Sequence, residues 1–68
     1  MRFAHLERLL KKNGWQLIRI KGSHHIFGGE DRPILSIPVH GNKVKGVYVR
    51  QVKQAIKALG QHDDEARS

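Results

Sequence analysis

Apolar side chains recur at Phe3, Leu6, Leu9 and Leu10, a spacing that predicts a helix over residues 2–13 with Glu7, Arg8, Lys11 and Lys12 turned to solvent. Glu7 and Lys11 stand four apart in the favourable acid-first order. Asn13-Gly14 then marks the helix end, because glycine accepts the left-handed conformation that closes a C-terminus. From Trp15 the period shortens towards two. Trp15, Leu17 and Arg19 alternate with Gln16, Ile18 and Ile20, predicting a strand over 15–21 that carries apolar residues on both faces. Gly22-Ser23 is a turn signal, and His24 to Phe27 reads as a short second strand. Residues 28–33 read as a longer loop. Ile34 to Val39 forms a third strand, whose Pro38 suits an edge or a terminus. Three strands with short connections make an antiparallel meander.

The loop 40–46 is rich in glycine and lysine, and helical spacing returns from Val47, with Val52, Ala55, Ile56 and Leu59 on one side. Gly60 is the expected stop, leaving residues 61–68 as a frayed acidic tail. The prediction is an α+β domain over residues 1–60 in the order α-β-β-β-α. A three-stranded antiparallel sheet has both helices on one face.

Charge sharpens this picture. The 68 residues hold 13 Lys and Arg against 6 Asp and Glu, a formal net charge of +7. Three of the acids, Asp63, Asp64 and Glu65, lie in the predicted tail, so the body is more cationic than the whole. Such a surface attracts phosphate backbones through screened electrostatics and counterion release. Cysteine is absent, which excludes disulfides and thiolate metal sites. No apolar run is long enough for a membrane span or a signal peptide, so a cytoplasmic location is the default expectation.

The candidate chemistry centres on His24 and His25, directly after the Gly22-Ser23 turn. Histidine, with an ordinary pKa of about 6.5, exchanges protons near neutrality. RNA supplies its own nucleophile in the 2′-hydroxyl, so one positioned imidazole can cleave it without metal or cofactor. Neighbours on a strand point to opposite faces, so His24 and His25 neither act as a concerted acid–base pair nor join His40 as ligands of one zinc. His5 and His62 carry no expected role. His40 follows the third strand and either contacts phosphate or simply ends the strand.

Lys43, Lys45, Arg50 and Lys53 are the expected polyanion contacts, gathered before and along the second helix, where free backbone N–H groups and a positive dipole end also favour anions. Lys57 reads as an ordinary solvated position. Trp15 and Phe27 are expected in the core, and Tyr48 is left open between core and base stacking.

The order of Leu9-Leu10, Asn13-Gly14-Trp15, Gly22-Ser23-His24-His25-Ile26-Phe27, Ile37-Pro38-Val39-His40 and Lys45-Gly46 resembles the HicA toxins of bacterial and archaeal toxin–antitoxin pairs, over residues 3–60. The resemblance implies a double-stranded-RNA-binding-like fold, an endoribonuclease (mRNA interferase) acting on mRNA, and inhibition by a HicB-type antitoxin. The family's catalytic histidine follows the Gly-Ser pair, which maps to His24. Some members carry it one residue later, which would be His25. Gly22, Ser23, Lys43, Lys45, Arg50 and Lys53 are then the RNA-contacting set. The alternative is a basic RNA-binding module without catalysis.

Overall fold

The computed structural model describes residues 1–67, with side chains described through residue 59. Its elements are α1 (Phe3–Lys12), β1 (Gln16–Lys21), β2 (His24–Gly29), β3 (Arg32–Pro38) and α2 (Gly46–Arg67), and the strands form one antiparallel sheet in the order β1-β2-β3. This is the α-β-β-β-α architecture expected from the hydrophobic pattern.

The end of α1 follows from Asn13-Gly14. Gly14 takes φ +97°. The Trp15 amide donates to the Leu10 carbonyl at 3.0 Å and the Gly14 amide to Lys11 at 3.3 Å, the paired bonds of a Schellman closure. The Asn13 side chain adds a bond to the Leu9 carbonyl at 2.8 Å. Closure turns Trp15 straight into the core, where its indole donates to the Pro33 carbonyl at 2.8 Å. Arg32 fastens the same corner: its Nε donates to the Asn13 carbonyl at 2.8 Å, and its guanidinium lies 5.4 Å from the Trp15 ring centre. A cation on the last carbonyls of a helix complements the helix dipole, and stacking on indole adds to it. Gly29 must remain glycine, because a Cβ there would overlap the carbonyl oxygen of Gly14.

Leu6, Leu10, Trp15, Phe27, Ile37, Val44 and Val52 form the buried core. Phe27 and Ile37 lie on the same face of the sheet, and both helices pack against that face. Leu17 and Phe27 are cross-strand partners, so Leu17 points inward too. A bulge between Leu17 and Arg19 then inserts Ile18 as an extra residue, which breaks the alternation and swings Ile18 and Arg19 to the open face. That bulge is why β1 shows apolar residues on both sides. β3 has its own irregularity opposite Gly28, where Pro33 is tolerated because no ladder bond is required of it.

Two expectations need correction. The β2–β3 connection is not a six-residue loop: β2 extends to Gly29, β3 begins at Arg32, and only Glu30-Asp31 lie between, Asp31 taking φ +58°. Polar turn residues obscure a strand end when the ladder closes on glycine and arginine. Second, α2 passes through Gly60 to Arg67. One glycine costs a helix only about 1 kcal/mol relative to alanine, and no proline follows to enforce the stop. The acidic side chains of the expected tail lie outside the described residues. The 40–46 segment is a loop up to the start of α2 at Gly46, as expected, and holds a tight turn. Gly41 and Asn42 both have positive φ, +54° and +66°, and His40 and Lys43 exchange backbone bonds of 3.0 Å, giving a two-residue turn of the I′ pattern.

Candidate nucleic-acid interface and histidine site

Gly22-Ser23 forms the tight turn between β1 and β2. Gly22 has φ +61° and Ser23 does not share the left-handed region, the pattern of a II′ hairpin that calls for glycine first. The turn makes Lys21 and His24 cross-strand partners, followed by Ile20 with His25 and Arg19 with Ile26. On the other side His24 faces Pro38, His25 faces Ile37 and Ile26 faces Ser36.

The two histidines therefore part company. His25 shares the inner face with Ile37 and Phe27. Its ring lies 4.5 Å from that of Phe3, tilted by 53°, and Phe3 in turn lies 6.1 Å from Phe27. Its Nδ1 is buried with no hydrogen-bond partner, the one such side-chain atom among the described residues. His24 is exposed on the open face, with Lys21 beside it on β1 and Pro38 on β3. Its Nδ1 lies 3.4 Å from Ser36 Oγ, one step diagonally across the ladder. In the tautomer in which Nδ1 donates to the hydroxyl oxygen, Nε2 keeps a free lone pair.

The end of the sheet that holds His24 also gathers both helix starts. The Val39 amide donates to the Ser23 carbonyl at 2.8 Å, joining the β1–β2 turn to the end of β3. The Phe3 amide donates to Asn42 at 2.8 Å and the Val44 amide to Met1 at 2.9 Å, while Arg2 and Lys43 form a β-bridge. The chain start, the Gly41-Asn42 turn and the N-termini of α1 and α2 thus meet at one pole. Arg2 is the N-cap of α1 and makes no side-chain cap. The Lys45 carbonyl receives the first bonds of α2, from Tyr48 at 3.0 Å and Val49 at 3.3 Å. Neither helix has an acid in its first turn. Helices ordinarily place acids or neutral caps there, because the dipole is positive. Cations at both starts forgo that stabilisation and leave positive potential facing solvent.

Of the sequence-predicted residues, Gly22, Ser23, His24, Lys43 and Lys45 meet at this pole. Arg50 and Lys53 lie further along α2, on the helix side of the sheet, where with Met1, Gly46, Val49, Gln54 and Lys57 they line an open groove of about 430 Å³. They are not on the face that presents His24. Lys57, expected only to be solvated, joins this groove. His40 is exposed, and its backbone closes the turn with Lys43. Tyr48 is partly buried against the core.

Sequence reasoning passed over Lys21 and Ser36. Lys21 was legible, since residues flanking a two-residue hairpin loop must pair. Ser36 required the β2–β3 register, which the hidden length of that turn withheld. Among the described residues no three His, Asp or Glu side chains gather to hold a metal ion, and no helix is long and apolar enough to cross a membrane. A family model for the HicA toxin of bacterial toxin–antitoxin systems matches residues 3–61. No curated protein matches the chain.

Proposed function

This chain belongs to the HicA family of bacterial toxin–antitoxin toxins, and from that premise we propose that it is an endoribonuclease that cleaves mRNA without metal and is neutralised by a HicB-type antitoxin. The observation that carries the reading is the exposed His24 at the pole where cations replace the usual acids at two helix starts. Lys43 and Lys45 draw in the phosphate backbone, with Arg50 and Lys53 extending the contact along α2. The Gly22-Ser23 turn leaves open space before the imidazole.

In the reaction His24 Nε2 takes the proton of a 2′-hydroxyl, the 2′-oxygen bonds to the adjacent phosphorus, and the bond from phosphorus to the 5′-oxygen breaks. The imidazolium returns the proton to that 5′-oxygen, leaving a 2′,3′-cyclic phosphate and a 5′-hydroxyl, with histidine restored. Ser36 holds the ring with Nδ1 occupied. His25 takes no proton in this scheme; it packs the inner face.

The test is incubation of the purified chain with a long mRNA in EDTA. Cleavage is expected, with resistance wherever a 2′-deoxynucleotide precedes the scissile phosphate. Equal cleavage of all-deoxy substrate overturns the mechanism. Salt-sensitive binding with intact RNA establishes the non-catalytic module instead. In cells, expression of the chain alone should arrest growth, and co-expression of its antitoxin should restore it.

A further inference from the structure

The geometry around His24 leaves one requirement of phosphoryl transfer unmet. Attack of the 2′-oxygen concentrates negative charge on the phosphoryl oxygens, and catalysis depends on fixed positive groups aimed at that charge. An imidazole engaged in moving the proton does not supply them. His25 is turned to the other face and stacked on Phe3, and Ser36 is uncharged.

Lys21 is placed to fill this role. It is the partner of His24 across the β1–β2 hairpin, so the two side chains leave the open face from Cβ atoms about 4.5–5.5 Å apart. The hairpin between them has only two residues, which fixes the register of this pair. Lys21 is exposed, and among the described residues the one ion pair is Lys11 with Glu7, at 3.6 Å. The nearest acids in the sheet, Glu30 and Asp31, are in the turn at its opposite end.

We propose that Lys21 is a second catalytic group, its ammonium bound to a non-bridging oxygen of the phosphate on which His24 acts. The inference rests on the ribonuclease reading above. Lys21 keeps its protons throughout: the proton removed from the 2′-hydroxyl passes through His24 to the 5′-oxygen, and the ammonium stabilises charge without transferring it. Lys43 and Lys45 hold flanking phosphates, so Lys21 affects the rate of the step more than the affinity.

The deciding experiment measures single-turnover cleavage of a labelled single-stranded RNA at saturating protein, with affinity read separately on a non-cleavable analogue carrying 2′-deoxy at the scissile position. Lys21→Met should slow the saturated rate about 100-fold or more while weakening the analogue less than about tenfold. Lys21→Arg, which keeps the charge, should recover at least about tenfold of the loss. Lys12→Met, removing one exposed cation from the far end of α1, should cleave like the unaltered chain. A Lys21→Met saturated rate within about threefold of the unaltered chain overturns the proposal, as does a loss entirely accounted for by affinity. If the unaltered chain leaves RNA intact, the ribonuclease reading falls and takes Lys21 with it. If it cuts and Lys21→Met cuts equally fast, only Lys21 falls.

Discussion

His24 and His25 are adjacent in the chain, yet one faces solvent beside a lysine and the other lies against a phenylalanine ring with a buried, unpartnered nitrogen. The same contrast separates the two faces of the sheet. The inner face is apolar and covered by both helices. The outer one carries Arg19, Lys21, His24 and Ser36, all exposed among the described residues. Alternation along β2 makes the division, so the proposed chemistry and the packing fall on opposite sides of one strand. Substitutions on the two faces should therefore fail in different ways.

The largest separation is between Phe27 and His24. Phe27→Ala removes a fully buried ring and should cost about 3–5 kcal/mol, enough to unfold so small a domain. His24→Ala should leave unfolding free energy within about 0.5 kcal/mol. Its RNA cleavage should nonetheless drop by about 10²–10⁴-fold. Paired urea melts and cleavage assays read both. An active His24→Ala beside a folded but inactive His25→Ala would invert the comparison.

His25→Leu tests the inner face more finely. The exchange keeps apolar volume against Phe3 and deletes a buried nitrogen without a partner, so stability should hold or rise by up to about 2 kcal/mol with cleavage retained. On the outer face Ser36→Ala should lower the cleavage rate about tenfold, the worth of one hydrogen bond. Ser36→Thr should restore it, and ¹⁵N shifts of the His24 ring should report the altered tautomer balance. The smallest effect belongs to Lys53, on the helix side. Lys53→Ala should leave the saturated rate alone and reduce the salt dependence of single-stranded RNA binding by about 0.7 in log–log slope.

The order of elements could be read from periodicity because α1 and the start of α2 have one apolar stripe each, and Asn13-Gly14 has one conformational outcome. The opposition of His24 and His25 followed from strand geometry alone. Which of them faces inward did not, since that depends on register, and register depends on two irregularities. The bulge at Ile18 disguises the inner face of β1, and the short Glu30-Asp31 connection hides the ladder that brings Ser36 to His24. Arg32 is similarly opaque: an arginine in a polar turn gives no sign that it will cap a helix 19 residues earlier. Long-range pairing fixes all three, and no local window contains it. The meeting of the two helix starts depends likewise on the bridge between Arg2 and Lys43, which joins residues distant in the chain.

Gly28 has a further consequence. Its missing side chain lets Ile18 and Ile34 lean together over the open face, both more than half exposed, on the same surface as Arg19, Lys21 and His24. If this face receives RNA as proposed, it is also the adhesive one, and the net charge of +7 sets copies against one another by mutual repulsion. Screening shortens that repulsion to about 3 Å at 1 M salt while leaving apolar attraction intact. Light scattering from the isolated chain should consequently rise with sodium chloride, and an Ile34→Lys exchange should abolish the rise.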